Sequence, residues 1–181
     1  RLRFTKMHGL GNDFVVLDGI RQRVELTPAQ VRALADRRFG VGCDQVLIVE
    51  RPTRADVDFH YRIFNADGGE VEQCGNGARC IASFVSRRLR LPPGEMIMDS
   101  PAGPVRARVL DDGLVSVAMG VPNFDPKSLP FEASGESYVY PLQVAGTEVD
   151  IGAVSIGNPH AVIRVPSVDS APIDRLGPAI E

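Results

Sequence analysis

The sequence predicts a strand-rich protein of the α/β (α+β) class. Three observations support this class: short apolar runs recur along the chain, turn-forming segments separate many of them, and two stretches carry apolar residues at helical spacing. The 181 residues are 44% apolar and 24% charged, with a formal net charge of -3. Such a composition is typical of a soluble globular protein of one or two domains.

The N-terminal elements are predicted as short strands with one helix between them. Thr27 is a helix N-cap, Pro28 suits the first helical position, and Gln30 can complete a capping box. We expect this helix to end at Gly40 or Gly42. The predicted strands around it are Arg3–Met7, Phe14–Asp18, Val46–Val49 and Phe59–Phe64.

A cysteine lies where a predicted strand gives way to a predicted helix. The predicted helix extends from Gly77 to about Leu89. Cys74 lies three residues before it, at the start of the motif Cys74–Cys80. A helix N-terminus favours a thiolate, and its backbone N–H groups can hold an anion. Glycines in this segment allow a ligand to approach the backbone closely. The sequence therefore predicts a reactive thiol beside an anion-binding segment.

The other two cysteines give less information. Cys80 falls among apolar residues of the same predicted helix and is expected to be buried, whereas the role of Cys43 stays open. The spacing of the three cysteines matches neither a disulfide framework nor a zinc site. Reduced thiols and no metal site are therefore expected.

The C-terminal part is predicted as a second, strand-rich unit. Three further strand candidates between Met96 and Met119 complete a first domain of residues 1–119, and a loop-rich crossing segment follows. Residues 120–181 form the second predicted domain, with strand candidates Tyr138–Val144, Val149–Ile156 and Ala161–Val165. Because so short a unit is too small to bury a substantial core, we expect the second domain to be incomplete in this chain.

Several amide side chains lie in glycine-rich or turn segments beside apolar strands. Each one alone is explained by the preference of Asn for turns. Together they would suit a zwitterionic ligand, because an amide offers both a donor and an acceptor. These residues are Asn12, Gln45, Asn65, Asn76 and Asn158. His160 follows an Asn-Pro turn and could either influence a nearby thiol or have no chemical role.

Other functional classes are not supported. The longest basic run is Arg87–Arg90, which suits a solvated helix end better than nucleic acid binding. The sequence has no stretch apolar enough to span a bilayer and no signal-peptide pattern, so we expect a cytoplasmic protein. Gly9 and Gly11 do not begin a dinucleotide fingerprint, because Phe14 stands where the third glycine is needed.

Four motifs together resemble the diaminopimelate epimerase family. They are Lys6–Phe14, Phe64–Gly68, Cys74–Cys80 and Gly157–His160, and they occur in the family's order from the first residues onward. The resemblance implies two similar domains, each a strand-rich barrel-like sheet around a central helix, with a substrate cleft between them. It also implies an isomerase without a cofactor that interconverts LL- and meso-diaminopimelate on the route to lysine and peptidoglycan.

The same resemblance assigns roles to individual residues. Cys74 is similar to one of two catalytic cysteines, and His160 to a residue that helps to set thiol pKa values. The positions similar to the family's substrate-binding residues are Asn12, Gln45, Asn65, Gly75, Asn76 and Asn158. The resemblance implies a small amino-acid substrate, and a homodimer is compatible with it. The composition predicts no nucleic acid and no membrane partner.

The sequence departs from the family in one respect. Inverting a stereocentre without a cofactor needs an acid and a base on opposite faces of the carbon, hence two opposed cysteines. The family's second cysteine belongs to a Cys-Gly-Ser-Gly-type motif that these 181 residues lack. Cys80 cannot replace it. Cys80 lies six residues after Cys74 along the same predicted helix, so it cannot face Cys74 across a bound substrate. We therefore expect this chain alone to be inactive.

Two alternatives remain at this stage. One is another two-cysteine isomerase, such as a proline racemase-like enzyme. The other is a ligand-binding fragment without turnover.

Overall fold

The structure is a computed structural model that describes residues 1–101 and 103–180. The chain forms two compact units, Arg1–Ala118 and Met119–Glu181. The division falls immediately before Met119, which the sequence analysis placed at the end of the first domain. Across the described residues, no helix is both long and apolar enough to cross a membrane.

Unit 1 consists of one curled sheet and two helices. Its strands are β1 (Phe4–Gly9), β2 (Asn12–Asp18), β3 (Gln45–Glu50), β4 (Phe59–Asn65), β5 (Glu70–Val71), β6 (Gly94–Ser100), β7 (Gly103–Val109) and β8 (Val115–Val117). Its helices are α1 (Pro28–Ala35) and α2 (Gly75–Leu89). The strand order is β1-β2-β3-β4-β6-β7-β8, and β5 pairs with β4. The pairs β2–β3 and β4–β6 are parallel, and the other pairs are antiparallel.

The sheet curls around α2. Strands from both ends of the strand order, β1 and β8, contact this helix, as do β2, β3 and β7. Four apolar side chains of α2, Ala78, Ile81, Ala82 and Val85, pack against inward-facing residues of the strands, such as Phe14. The mixed α/β class is confirmed, and so is a barrel-like sheet around a central helix in this unit.

The outer face of the sheet is covered by α1. Alternate residues of β2 point to opposite faces, so Val16 packs toward α2 while Val15 packs with Val31 and Ala35 of α1. The strands β2 and β3 are therefore apolar on both faces, which is typical of central parallel strands. Burial on both faces holds β2 and β3 in place, and each of these strands begins with one of the predicted amide residues, Asn12 or Gln45.

Helix α1 begins as predicted and ends earlier than predicted. Thr27 caps it, and the capping box with Gln30 is formed. The helix ends at Ala35, because the Asp36 carboxylate accepts the backbone N–H groups of Arg38 and Phe39, both at 2.7 Å. This side-chain turn replaces the next helical hydrogen bonds, so the expected end at Gly40 or Gly42 is wrong.

Unit 2 is a small antiparallel sheet with one α-helix and a short 3-10 helix in its described residues. Its elements are the 3-10 helix (Pro126–Ser128), β9 (Tyr140–Val144), β10 (Thr147–Ser155), β11 (Pro159–Val162) and α3 (Ile173–Ile180). Strand β10 lies between β11 and β9. The strands agree with the predicted ones to within a few residues, but α3 was not predicted. Unit 2 leaves an open groove of about 710 Å³ lined mostly by apolar side chains, among them Leu142, Ile151 and Leu176.

Candidate active site

Three of the predicted amides lie at one end of the sheet of unit 1. Asn12 is the first residue of β2, Gln45 is the first residue of β3, and Asn65 is the last residue of β4. Because β2 and β3 are parallel and β3 and β4 are antiparallel, these ends coincide, and Gln45 pairs directly with Asn65. The topology thus brings together residues that are far apart in sequence.

Cys74 caps the N-terminus of α2. Its backbone is extended (φ −149°, ψ 113°), its Sγ accepts the N–H of Gly77 at 3.3 Å, and its carbonyl accepts the N–H of Ala78 at 2.8 Å. Sulfur thus takes the place of the hydroxyl or carboxylate oxygen that usually caps a helix. The predicted position of this cysteine at a helix start is confirmed.

Gly77 leaves room for this sulfur contact. A Cβ on Gly77 would lie 3.5 Å from Sγ of Cys74 and 3.3 Å from Cδ2 of Leu47. The contact with Leu47 is tighter than usual and the contact with Sγ is an ordinary one, so a larger residue would push against strand β3. A glycine three positions after the cysteine therefore lets the first turn of α2 pack between Cys74 and strand β3.

Asn12 makes a second contact with the thiol. The Sγ of Cys74 lies 3.8 Å from Oδ1 of Asn12, with the thiol as donor. The sulfur therefore has an N–H donor from its own helix and a carbonyl acceptor from strand β2. Asn12 and Cys74 are 62 positions apart in sequence, and the curled sheet brings them together.

Gln45 and Asn65 form a pair of amides. The Nε2 of Gln45 donates to Oδ1 of Asn65 at 2.8 Å, while Oε1 of Gln45 is buried with no hydrogen-bond partner among the described residues. Buried polar atoms are nearly always paired in native proteins. Oε1 of Gln45 therefore lacks the partner that a buried oxygen usually has.

Gly75 and Asn76 form the first turn of α2. The backbone N–H groups of a first helical turn have no partner within the helix, so they can bind an anion. Strand β1 packs tightly against this turn, because a Cβ on Gly9 would lie 3.3 Å from Cβ of Asn76. The side chain of Asn76 accepts a hydrogen bond from Arg79, one turn along the helix.

Unit 2 contains the last two predicted residues. Asn158 and His160 are both exposed, and His160 belongs to strand β11, where it pairs with Val154. The Nδ1 of His160 lies 3.0 Å from the carbonyl oxygen of Asn158. Their proposed roles in binding and in setting thiol pKa values stay predictions.

The two other cysteines lie in the apolar interior. Cys80 packs in the core around α2 and Cys43 in the core beneath α1, with relative exposures of 4% and 2%. Burial raises the pKa of both thiols, because it disfavours the charged thiolate. The predicted burial of Cys80 is confirmed, and Cys43, whose role the sequence left open, is buried as well.

A network of four charged side chains supports the site, and the sequence analysis did not detect it. Asp13 accepts hydrogen bonds from Lys6 at 2.6 Å and from Arg37 at 2.7 Å. Arg37 also donates to Asp44 at 2.7 Å, and Asp44 accepts the Nδ2 of Asn12 at 3.0 Å. The Arg37 guanidinium is the main reason that the pKa of Asp13 lies well below its usual range. The only local signal for this network is that charged residues flank the amide motifs.

The arrangement suits proton transfer at a thiol beside a polar, zwitterionic ligand. A donor and an acceptor hold Cys74, the first turn of α2 can bind a carboxylate, and the amides offer further polar contacts. In residues 1–101 and 103–180, no group of three or more His, Cys, Asp or Glu side chains is placed to hold a metal ion.

The fold is that of a group of epimerases, racemases and isomerases. The structure is similar to a probable proline racemase from Agrobacterium radiobacter, with a TM-score of 0.64 and 15% identity over 98% of this chain and 53% of that one. It is also similar to a hydroxyproline epimerase from Agrobacterium vitis, with a TM-score of 0.61 and 17% identity over 96% of this chain and 52% of that one. At such low identities the likeness defines the fold.

Sequence comparison defines the family. The diaminopimelate epimerase family model matches residues 4–124. The chain is 59% identical to the diaminopimelate epimerase of Thioalkalivibrio sulfidiphilus over 100% of its own length, and 58% identical to that of Aromatoleum aromaticum over 99%. The chain therefore belongs to the diaminopimelate epimerase family, whose enzymes are isomerases. It spans 66% and 65% of the lengths of these two relatives.

Proposed function

We propose that this chain supplies one half of a two-base active site that interconverts LL- and meso-2,6-diaminopimelate without a cofactor. The observation that carries the proposal is the position of Cys74, which caps α2 with its sulfur between the Gly77 N–H and the Asn12 carbonyl oxygen. The sequence identities of 59% and 58% to relatives named diaminopimelate epimerase support the choice of substrate. The reaction serves lysine and peptidoglycan precursor synthesis, and we place it in the cytoplasm.

The chemistry requires Cys74 to exist in two states. In one direction its thiolate removes the α-proton of the substrate, and in the other its thiol returns a proton to the same face of the carbon. The Gly77 N–H stabilises the thiolate, whereas the Asn12 oxygen accepts a hydrogen bond from the thiol. Gly75 and Asn76, in the first turn of α2, would bind the carboxylate next to the reacting carbon and stabilise the charge that develops there.

The opposing acid or base must come from outside these 181 residues. The chain has three cysteines, and Cys43 and Cys80 are buried in apolar cores with raised thiol pKa values. Neither thiol is accessible to a substrate whose α-carbon lies beside Cys74. We therefore propose that the chain alone does not epimerise diaminopimelate and that the complete enzyme does.

The remaining amides are proposed to bind the substrate. Among the described residues, Gln45 Oε1 and Asn65 Nδ2 have no hydrogen-bond partner, and this acceptor and this donor suit an ammonium group and a carboxylate. Asn158 is proposed to bind the distal end of the substrate and His160 to influence the thiol pKa values. A homodimer stays a prediction.

Proton exchange in D2O tests the proposal. The complete enzyme should incorporate deuterium at the α-carbon of diaminopimelate and interconvert the LL and meso forms. Cys74→Ala should abolish interconversion, whereas the matched variant Cys80→Ala should retain it. The 181-residue chain should give no net interconversion. Full turnover by the chain alone would contradict the proposed missing partner.

A substrate panel tests the main alternative. The likeness to a proline racemase and a hydroxyproline epimerase keeps a proline racemase-like activity as the second candidate. Preference of the complete enzyme for proline or hydroxyproline over diaminopimelate would refute the proposed substrate. Asn158→Ala should weaken binding of diaminopimelate more than binding of a substrate that lacks the second ammonium-carboxylate end.

A further inference from the structure

Asn12 lies between a carboxylate and the candidate catalytic thiol. Its Nδ2 donates to Oδ2 of Asp44 at 3.0 Å, and its Oδ1 faces Sγ of Cys74 at 3.8 Å. A carboxylate accepts hydrogen bonds and cannot donate them, so only the NH2 group of Asn12 can face Asp44. The carbonyl oxygen of Asn12 must then point toward Cys74.

Asp44 is itself held in place from three sides. Its Oδ1 accepts from Arg37 at 2.7 Å, its Oδ2 also accepts the backbone N–H of Asp13 at 3.0 Å, and its own N–H donates to Oδ1 of Asp13 at 2.9 Å. The Asn12 amide, then the Asp13 N–H and Arg37, hold the pKa of Asp44 below its usual value. Asp44 is therefore ionised at neutral pH and keeps its role as an acceptor.

We propose that Asp44 is a positioning residue that fixes the Asn12 amide as an acceptor toward Cys74. In this orientation Asn12 stabilises the thiol form, which has a proton to donate, and offers nothing to the thiolate. The Gly77 N–H and the start of α2 favour the thiolate. Asp44 thus balances the two protonation states that a thiol must pass through when it both removes and returns a proton.

The structural part of this inference depends on unit 1 alone. Only its catalytic consequence rests on the proposed function. A wild-type enzyme without activity on diaminopimelate would refute that function and leave the orientation of Asn12 still to be decided by the experiments below.

Alkylation of Cys74 by iodoacetamide tests the inference directly. With Asp44→Asn, residue 44 keeps only one acceptor oxygen and loses its charge, and the Arg37 guanidinium competes for that oxygen. The NH2 group of Asn12 is then free to turn toward the sulfur and stabilise the thiolate. We expect Cys74 to be alkylated at neutral pH at least about threefold faster than in the wild type, because a hydrogen bond to a charged group is strong. Peptide mass mapping distinguishes Cys74 from the other cysteines. An unchanged or slower rate would overturn the inference.

A double-mutant cycle separates positioning from charge, because Asp44→Asn also removes a negative charge near the thiol. In an Asn12→Ala background, Asp44→Asn should change the alkylation rate by less than about twofold, because the amide through which it acts is gone. Equal acceleration in both backgrounds would overturn the inference. The matched control is Asp36→Asn, which removes a carboxylate bound only to the N–H groups of Arg38 and Phe39 among the described residues, and it should leave the rate unchanged.

A second measurement needs no variant and remains decisive if Asp44→Asn does not fold. In the wild-type protein, the side-chain NH2 resonances of Asn12 should shift as Asp44 is protonated in acid, since Asp44 accepts from that group. Asn12 resonances that do not respond when Asp44 titrates would contradict the proposed contact.

Discussion

The side-chain amides of Gln45 and Asn65 are hydrogen-bonded to each other across strands β3 and β4, with 2.8 Å between Gln45 Nε2 and Asn65 Oδ1. The bond uses the donor of one amide and the acceptor of the other. Each amide is thereby fixed in orientation, and within the part of the chain that the structure describes Gln45 Oε1 and Asn65 Nδ2 have no hydrogen-bond partner. Two neutral side chains thus offer both polarities with no net charge.

Replacing Gln45 tests this amide pair. Gln45→Met keeps the size of the side chain and removes both of its polar atoms, so the KM of the complete enzyme for diaminopimelate should rise about tenfold. The free energy of unfolding should change by less than about 1 kcal/mol, because a buried oxygen without a partner is removed together with the bond. Steady-state kinetics and urea unfolding measure the two quantities.

The control for this prediction is Gln143→Met in unit 2. Gln143 is exposed and donates to Glu148 at 2.8 Å, so its loss should leave KM unchanged. An equal rise in KM for both variants, or none for Gln45→Met, would show that the amide pair does not bind substrate.

The three cysteines should differ in reactivity. Cys74 is half-buried at a helix start, whereas Cys43 and Cys80 are buried and have raised thiol pKa values. We expect Cys74 to react with iodoacetamide at neutral pH at least about tenfold faster than either, as followed by peptide mass spectrometry. In concentrated urea the three rates should converge. A native rate for Cys80 equal to that of Cys74 would refute the idea of an activated thiol.

Gly68 should be essential for the turn that connects Asn65, at the end of β4, to β5. Its φ of +90° suits glycine, and a Cβ there would lie 2.6 Å from the carbonyl oxygen of Pro28 at the start of α1. Gly68→Ala should therefore lower the free energy of unfolding by roughly 2–4 kcal/mol, through both backbone strain and the clash. Urea unfolding monitored by circular dichroism measures this loss.

Gly113→Ala isolates the contribution of the backbone. Gly113 has a similar φ of +82°, and a Cβ there would meet nothing within 4 Å. Its loss of stability should be about 1–2 kcal/mol, the cost of the left-handed conformation alone. If the two variants lose equal stability, the contact between the turn and α1 has no energetic importance.

Acid should destabilise the protein partly through Asp13. Bonds from Arg37 and Lys6 hold the pKa of Asp13 below its unfolded-state value of about 3.9, so the unfolded state binds the proton more readily. The stability from this group is therefore present above pH of about 4 and is lost as pH falls from there toward the lower folded-state pKa.

The measurement is the free energy of unfolding as a function of pH. Asp13→Asn should be less stable than the wild type at pH 7, and its stability should fall less steeply below pH 4, by up to about 1.4 kcal/mol per pH unit for one group. Parallel curves for the two proteins would contradict the assignment. Asp112→Asn is a suitable control, because Asp112 accepts only a local N–H bond from Leu114 among the described residues.

Local sequence signals were enough to predict α2 and its cysteine. Glycines, small residues and an apolar stripe after Cys74 act within a few positions, so the helix start could be predicted without knowledge of the fold. Helix α3 could not, because Gly177 and Pro178 lie inside it and argue against a helix. Its single buried residue, Leu176, indicates that packing within unit 2 stabilises it.

The contacts around the site depend on topology. Asn12, Gln45 and Asn65 could be selected as amides in turns, but their meeting at one end of the sheet follows from a parallel and an antiparallel strand pair. The bridge from Arg37 to Asp13 spans 24 positions, and no local pattern indicates it. Asp44 directly precedes Gln45, but no local pattern in the sequence indicates its contacts with Arg37 and Asn12.

The two parallel strand pairs of unit 1 also bear on how the protein reaches its native state. Parallel neighbours cannot be joined by a tight hairpin, so β2 and β3 pair only after the segment with α1 has crossed, and β4 and β6 only after the segment with α2 has crossed. Asn12 and Gln45 stand on the first pair, and Cys74 lies within the second crossing. Because such long-range pairings are slow to form, we expect the amides and the thiol to meet late in folding.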